Sequence, residues 1–310
     1  MVLIPDLNGR SDGLAFNLLQ KVNVDIPIVL VSRVEDMVLN EEILKLKEWV
    51  LADYTELGWD WSMDYGHHFG QNTDKFPEVF RSEDWKRFDQ FVKDNPPKLT
   101  FCRELLERDV TDKLVPIVYP CMLTAVPVQT REEFNKRLLD VFYTWGLSNE
   151  ARKWLQAKIW KKSSSYGYAV CDNLYYLKAF LELERTPSKW FSANIPHYAR
   201  LPMEELIMVN GMAKISISIA GAGRNCFRHA ESPINSVMLM WNDELAWHQK
   251  DWFDGYNCIK CEEGEEIQAI VRALHNPDEL YMMYRNGVAT IDKFRVDNYV
   301  KYLENTINNA

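Results

Sequence analysis

The sequence has 310 residues, of which 47% are hydrophobic, and a formal net charge of -9. This length and composition fit a globular chain of two domains, and the acidic balance argues against a surface that is cationic throughout. A local basic cleft is compatible with it, because residues 153–168 are basic and aromatic. No window approaches eighteen uncharged apolar residues, and no basic segment followed by a long apolar run opens the chain, so we expect a cytoplasmic protein without a membrane segment.

The six cysteines are scattered without the dense framework of a secreted protein, so reduced thiols are expected. Cys258 and Cys261 form the one C-x-x-C pair. A tetrahedral zinc site needs two more ligands at matched spacing, and no partner pair is present. We therefore predict that both are strand or loop cysteines, with zinc binding as the less favoured alternative. A divalent cation is compatible with the sequence, but no ligand motif supports one.

Apolar runs that resemble buried strands alternate with segments of helical period, which is typical of a mostly parallel sheet covered by helices. The predicted strands of the first half are Met1–Pro5, Ile26–Ser32, Trp49–Tyr54, Leu99–Cys102 and Leu114–Tyr119. The predicted helices between them are Gly13–Val22, Glu41–Glu48 and Ser82–Val92.

Residues 119–134 carry two of the chain's prolines and little helical period, which favours a crossover between domains. The predicted strands after it are Asp140–Thr144, Trp190–Ser192, Ala213–Ile219, Val237–Met240 and Tyr256–Lys260. We predict an α/β fold with one domain at 1–125, a second domain at 126–290 and a C-terminal helix at 291–310. The cleft between the two domains is the expected ligand site.

The stretch "KISISIAGAGRNCFRHAE" (214–231) is an alternating strand, a glycine turn at Gly221 to Gly223 and a short helix with Arg228 and Glu231. Glycines at the carboxyl end of a strand let a ligand approach the backbone. An arginine fork suits a diphosphate, and a carboxylate suits a ribose diol. The alternative is an i, i+3 salt bridge on a helix, which these two residues alone favour.

A second strand, turn and helix, "DVFYTWGLSNEAR" (140–152), brings Gly146 and Arg152 to the same edge of the predicted sheet. In combination, these segments resemble the donor-binding domain of glycosyltransferases with two Rossmann-like domains, the GT-B type, most clearly over residues 140–290. The R-x-x-E spacing is similar to that of phage DNA β-glucosyltransferases and of spore-coat-type glycosyltransferases.

The resemblance implies a nucleotide-sugar donor as co-substrate, UDP-linked by preference, and no tightly bound cofactor. It also implies that the domain at 1–125 lies on the acceptor side, that the domain at 126–290 binds the nucleotide sugar and that the C-terminal helix packs back across both. It assigns diphosphate contacts to Arg152 and Arg228 and the ribose hydroxyls to Glu231, beside backbone contacts at Gly146, Gly221 and Gly223. Many retaining members carry a second glutamate where this chain has Gly223. That departure favours an inverting reaction.

The segment "WVLADYTELGWDWS" (49–62) leaves a predicted strand at Asp53 and resembles the β-glucosyltransferase segment that supplies the catalytic base. An inverting transfer needs a carboxylate that takes the proton of the acceptor hydroxyl. A capping role for Asp53 is the alternative. His67 and His68 fit a loop or acceptor contact better than a metal pair. Arg103 and Glu104 are expected on a helix surface, and a role in the cleft is the alternative.

The sequence thus predicts a glycosyltransferase whose acceptor is a hydroxyl group. The motif resemblance favours a hydroxymethylated base in phage DNA, and the tryptophans near 60 and 160 suit an extruded base. The acidic charge favours a glycan or a small molecule. A non-catalytic nucleotide-sugar-binding module is a further alternative, and a Rossmann oxidoreductase is disfavoured because no G-x-G-x-x-G follows the first strand.

Overall fold

The structure, a computed structural model, describes residues 2–3, 13–31, 39–54, 83–121, 123, 126–143, 170–171, 207, 210–219, 226 and 228–310. Two five-stranded sheets, each with all of its strands parallel, organise these residues. Among the helices in these ranges, none is both long and apolar enough to span a bilayer.

The first sheet has its strands in chain order, β1-β2-β3-β4-β5. Every residue of β2, β3 and β4 is buried, as expected for a parallel sheet covered on both faces. The strands are β1 (Val2–Leu3), β2 (Ile28–Val31), β3 (Val50–Asp53), β4 (Leu99–Cys102) and β5 (Leu114–Pro116).

The second sheet has the order β7-β6-β8-β9-β10, so the chain moves outward from β6 to β7 and then continues on the other side of β6. The strands are β6 (Leu139–Phe142), β7 (Val170–Cys171), β8 (Ala213–Ile217), β9 (Val237–Trp241) and β10 (Ile259–Cys261). This reversal creates a topological switch point between β6 and β8. In open α/β sheets, ligands bind in the crevice at the carboxyl ends of the two strands that flank such a point.

The helices of the described ranges are α1 (Gly13–Leu19), α2 (Glu83–Asp94), α3 (Arg131–Asn135), α4 (Arg228–Glu231), α5 (Ala246–Asp251), α6 (Glu266–His275), α7 (Pro277–Ile291) and α8 (Val296–Asn309). Helix α3 begins with a capping box, in which the Thr130 side chain accepts from the Glu133 N–H and the Glu133 carboxylate accepts from the Thr130 N–H.

Most predicted strands are confirmed within a few residues, and Trp190–Ser192 lies outside the described residues. The predicted helix Glu41–Glu48 is wrong, since a single 3-10 turn at Ile43–Lys45 stands there. Residues 266–291 form two helices in succession, α6 and α7, with only Asn276 between them. Pro277 explains the division, because it lacks the N–H that a continuing helix needs and is tolerated at the first position of the next one.

Arg137 joins the amino-terminal ends of β8 and β9. Its Nη1 donates to the carbonyl oxygens of Ala213 (2.5 Å) and Asn235 (2.7 Å), and its guanidinium lies over the rings of Phe134 and Tyr284. Burial lowers the pKa of Arg137 to about 10. These contacts fix the two strands whose carboxyl ends reach the candidate site.

Helix α8 packs back onto the first half of the chain, as predicted. The Tyr299 hydroxyl accepts from the Val118 N–H at 2.8 Å, and the Glu304 carboxylate accepts from the Asn23 N–H at 2.8 Å. Apolar residues of α1, the first sheet, α4, β9 and α8 belong to one continuous hydrophobic core. The domain limits at residues 125 and 290 stay predictions.

Candidate functional site

Asp53 is the last residue of β3 and is completely buried. Its backbone carbonyl accepts from the Arg103 N–H at 3.0 Å, which brings the chain that leaves β4 directly beside it. The carboxyl end of a parallel strand is where side chains that contact ligands are commonly placed. The structure therefore places Asp53 at the edge of the first sheet that its predicted role requires, while the role itself stays a prediction.

Arg103 and Glu104 lie in the turn after β4, and both are buried, with side chains 3% and 2% exposed. The expectation of a helix-surface position for them is wrong. The Arg103 Nε lies 3.2 Å from the Glu104 carboxylate, and Nη1 donates to the Tyr119 hydroxyl at 2.5 Å. Burial of two charges is tolerated here because each has an ionic or hydrogen-bonding partner.

Tyr119 completes what we call the first-sheet cluster, which consists of Asp53, Arg103, Glu104 and Tyr119. The Arg103 guanidinium lies 5.2 Å from the centre of the Tyr119 ring, and the Tyr54 ring packs on the same tyrosine at 5.5 Å. The Tyr54 hydroxyl in turn donates to the Val118 carbonyl. Aromatic packing and hydrogen bonds thus hold the cluster at the carboxyl edge of the first sheet.

Arg228 and Glu231 lie at the two ends of α4, and their side chains are only partly buried, at 20% and 14% exposure. The Arg228 Nη1 is 3.4 Å from the Glu231 Oε2, so the interpretation as an i, i+3 salt bridge is confirmed. Burial raises the pKa of Glu231 to about 7, although the charge of Arg228 opposes that shift. Near neutral pH this carboxyl group is therefore divided between its protonated and ionised forms.

The two regions meet across the interior. Tyr54 and Tyr119 of the first half share a hydrophobic core with Ala230 of α4. Burial raises the pKa of the Cys121 thiol to about 11, and the nearby Glu231 carboxylate adds to the shift. Helix α4 therefore lies next to the segment that follows β5, close to the first-sheet cluster.

A series of contacting polar side chains, which the sequence did not predict, packs against α4. His229 packs its ring on His248 at 4.5 Å between centroids, and the His248 Nδ1 is 2.7 Å from the Asp243 carboxylate. The Cys226 Sγ is 3.3 Å from the His229 Nδ1. The sequence signal for this series is weak, because Asp243 and His248 are five residues apart and His229 lies on another segment.

Burial lowers the pKa of His248 to about 4 despite the nearby Asp243. Burial also acts to lower the pKa of His229, but interaction with Cys226 outweighs it and the pKa is raised. The Asp243 carboxyl is partly buried, which acts to raise its pKa, yet contact with His248 outweighs this and the pKa is lowered. Hydrogen bonds and the contact between the two imidazole rings thus hold α4 in its orientation.

Six of the predicted residues lie outside the described residues: Gly146, Arg152, Gly221, Gly223, His67 and His68. The strands that precede the four residues predicted for the donor site are described, and they show where those residues occur in the chain order of the second sheet. Gly146 and Arg152 follow β6, and the two glycines follow β8, so their segments leave the two strands that flank the switch point. Whether these residues contact a ligand stays a prediction.

A metal site finds no support in the described ranges, where no group of three or more potential metal ligands occurs. Cys258 lies just before β10 and Cys261 ends it, which confirms their prediction as strand or loop cysteines. Burial raises the pKa of both thiols to about 12. Both thiols are therefore protonated at neutral pH, whereas zinc binds the thiolate.

Comparison with solved structures identifies the architecture. TarM from S. aureus, solved in complex with Fondaparinux, alpha-GlcNAc-glycerol and UDP, has a TM-score of 0.53 at 10% identity and is matched over 95% of this chain and 58% of its own. Anabaena HepE, in complex with UDP and glucose, has a TM-score of 0.50 at 10% identity, over 96% of this chain and 81% of its own. Trehalose 6-phosphate synthase from Burkholderia multivorans has a TM-score of 0.50 at 12% identity, over 96% and 74%.

No protein-family profile matches the sequence, and comparison with curated proteins finds no match. The chain spans less than two thirds of the length of TarM. At 9 to 12% identity, the likeness concerns the fold. Together with the two parallel sheets and the returning C-terminal helix, it shows that the protein has an α/β fold of the GT-B type, with two Rossmann-like domains.

Proposed function

We propose that the protein is a glycosyltransferase that moves a sugar from a nucleotide diphosphate donor, UDP-linked by preference, to a hydroxyl acceptor over the first sheet. The observation that carries the proposal is the position of α4. The Arg228–Glu231 pair lies on the segment that follows β8, one of the two strands that flank the switch point. Nucleotides bind at such points in doubly wound sheets.

On the donor side, Arg228 and Arg152 would bind the diphosphate, and Glu231 would accept hydrogen bonds from the two ribose hydroxyls. Gly146, Gly221 and Gly223 would let the donor approach the backbone at the ends of β6 and β8. The pKa of Glu231, raised to about 7 by burial, bears on this role. Only the ionised carboxylate accepts from both hydroxyls, so donor affinity should rise as the pH passes through 7.

On the acceptor side, Asp53 is the proposed base of an inverting transfer. The Asp53 carboxylate takes the proton of the acceptor hydroxyl while the acceptor oxygen forms a bond to the anomeric carbon. The bond between that carbon and the diphosphate oxygen breaks, and its electron pair leaves with the nucleoside diphosphate. The arginines stabilise the negative charge that develops on the leaving group.

The structural neighbours support a nucleotide-sugar donor. HepE is described with UDP and glucose, and TarM with UDP and alpha-GlcNAc-glycerol. Both proteins share the fold of this chain. Their ligands include a nucleotide and a sugar or sugar derivative, which agrees with the proposed nucleotide-sugar donor. A metal ion is not needed in this scheme, because arginines supply the positive charge opposite the diphosphate.

For the acceptor, we propose a hydroxymethylated base in phage DNA, on the strength of the R-x-x-E resemblance. A glycan or small-molecule hydroxyl is the second candidate, favoured by the net charge of -9. Binding to duplex DNA that weakens steeply with salt would support the first acceptor, because phosphate contacts release counterions. Transfer to a free sugar that is independent of salt would support the second.

The test is a calorimetric measurement of UDP binding together with a mass-spectrometric search for turnover of a panel of nucleotide sugars. Glu231→Gln should weaken UDP binding by about tenfold to a hundredfold, the range for losing hydrogen bonds to a charged group. Glu279→Gln, at an exposed carboxylate in the first turn of α7, is the matched control and should bind as the wild type does. Unchanged affinity in folded Glu231→Gln would exclude the donor assignment.

A non-catalytic nucleotide-sugar-binding module gives a different pattern in the same experiment. It predicts UDP binding that depends on Glu231 but no turnover of any donor, with or without an acceptor. Release of UDP from one donor of the panel by the wild type excludes it.

A further inference from the structure

A cavity of about 520 Å³ lies beside the C-terminal segment. Its walls come from three parts of the chain: Pro116 at the end of β5 with Val118 just after it, α5 of the second half, and the segment from the end of α7 to α8. None of Asp53, Arg228 and Glu231 lines it. Its volume is within the range of small-molecule sites, which is roughly 300–1,000 Å³.

Four aromatic side chains form much of the wall. The Trp247 and Phe294 rings meet edge to face at 5.4 Å, and the Tyr299 and Tyr302 rings stack at 5.6 Å with an interplanar angle of 15°. Tyr302 is 37% exposed, so the outer ring of the stack is open to solvent. The negative faces of aromatic rings attract the polarised C–H bonds on the apolar face of a pyranose.

The charged groups of the wall balance one another. Lys250 and Lys293 oppose Asp251 and Asp292, and the Lys293 Nζ lies 3.5 Å from the Asp251 carboxylate. A lining with two cations and two anions offers no net attraction to a phosphate or to an ammonium group. It offers alternating hydrogen-bond donors and acceptors, which a polyhydroxylated neutral ligand uses on every side.

Trp247 is only 4% exposed and is one of the wall residues. The Asn298 side chain, also in the wall, supplies both a hydrogen-bond donor and an acceptor.

We propose that this cavity binds a neutral carbohydrate, one or two pyranose units in size, at a place distinct from the transfer site. Aromatic faces would hold the C–H side of the sugar, and Asn298 and the lysine and aspartate side chains would bind its hydroxyls. Because the walls belong to both halves and to α8, a bound sugar would strengthen their packing. Sugar binding in this cavity does not require the transfer reaction, because the wall contains none of Asp53, Arg228 and Glu231.

The test is saturation-transfer NMR on the full chain with glucose, N-acetylglucosamine and maltose as probes. Ala289→Trp places a large side chain on the wall that α7 contributes and should abolish the signals. Met282→Trp, at an exposed position of the same helix outside the cavity, is the matched control and should keep them. If Ala289→Trp does not fold, Tyr302→Ala serves instead and should weaken sugar binding at least fivefold.

Two further measurements separate this site from the donor site. Inorganic phosphate and UDP should not displace the sugar, and Glu231→Gln should bind it as the wild type does. Absence of binding for all three sugars to the wild type, or binding that survives in folded Ala289→Trp, would overturn the proposal. Displacement by UDP would also overturn it, because the sugar would then lie in the donor site.

Discussion

The two halves of the molecule each present an arginine–glutamate pair beyond the carboxyl end of a parallel strand, and the two pairs differ in burial. The pair Arg103–Glu104 has side chains 3% and 2% exposed, while Arg228–Glu231 has 20% and 14%. The N–O distances are similar, 3.2 and 3.4 Å. The same residue types therefore meet with similar geometry in two different environments.

Because of this difference in burial, Arg103 and Glu104 are enclosed by protein partners, whereas Glu231 can change its protonation near neutral pH. Arg103 also binds the Tyr119 hydroxyl and lies over its ring, so it is held by several partners inside the protein. Glu231 keeps a surface open to solvent and has a pKa raised to about 7 by burial, within reach of physiological changes in pH. A group that is partly open and close to its titration point suits ligand binding, whereas a fully enclosed pair suits the support of a neighbour such as Asp53.

The largest effect is expected at Asp53, whose backbone carbonyl accepts from the Arg103 N–H. Asp53→Asn keeps the shape of the side chain but removes the proposed base, and general-base catalysis typically contributes about 10² to 10⁴ in rate. Turnover of the nucleotide sugar should fall by that factor, while calorimetric UDP binding stays unchanged. Asp112→Asn, at an exposed aspartate just before β5, is the control and should retain full turnover.

A different result would place Asp53 elsewhere in the comparison. If Asp53→Asn is folded and as active as the wild type, the aspartate caps the turn after β3 and the base is another group. If UDP binding falls along with turnover, the residue belongs to the donor region rather than to the acceptor side.

The next effect concerns the stability that the enclosed pair provides. Arg103→Met leaves the buried Glu104 carboxylate without its ionic partner, and breaking a buried ion pair in this way costs roughly 3–5 kcal/mol. Arg108→Met breaks an ion pair with Glu244 in which the two side chains are 70% and 69% exposed. Its loss should lower the free energy of unfolding by only about 0–1 kcal/mol. Urea unfolding of the two variants measures both values, and equal losses would contradict the distinction between enclosed and exposed pairs.

The sequence predicted the sheets well, because buried parallel strands are continuous apolar runs that periodicity detects directly. It failed at Glu41–Glu48, where the helical spacing of apolar residues yields only one 3-10 turn. Strand β7 was not predicted either, since two residues, Val170 and Cys171, are too short a run to distinguish from a loop. Short elements are determined by tertiary contacts rather than by local pattern.

For the candidate site, the sequence predicted that Asp53 ends a buried strand and that Arg228 and Glu231 lie three residues apart on a short helix, and the structure has both features. The burial of Arg103 and Glu104 was not predicted, because charged residues after a strand are usually exposed and Tyr119, the hydrogen-bond partner of Arg103, is sixteen residues away from it. The support of α4 by His248 and Asp243 was also missed. Contacts between segments distant in sequence leave no periodic signal.

The smallest effect, and the sharpest comparison of the two pairs, lies in the pH dependence of stability. Burial raises the pKa of Glu231 from its ordinary value of 4.5 to about 7, so the folded protein keeps a proton that the unfolded chain loses between these values. Below pH 4.5 both states are protonated and Glu231 costs nothing. As the pH rises from 4.5 to 7 the free energy of unfolding falls, by on the order of 3 kcal/mol in total, and it is constant above 7.

Glu231→Gln has no proton to lose at this position, so the change removes that slope. Relative to the wild type, the variant should gain about 2 kcal/mol in free energy of unfolding between pH 5 and pH 8, measured by urea titration at each pH. Glu279→Gln should follow the wild type at both pH values. Parallel profiles for Glu231→Gln and the wild type would show that Glu231 ionises as a solvent-exposed glutamate does, and the contrast with the enclosed pair would then rest on burial alone. If the free energy of unfolding of the wild type instead falls more steeply at high pH than that of Glu231→Gln, and its UDP affinity also changes with pH, the same proton is linked to donor binding.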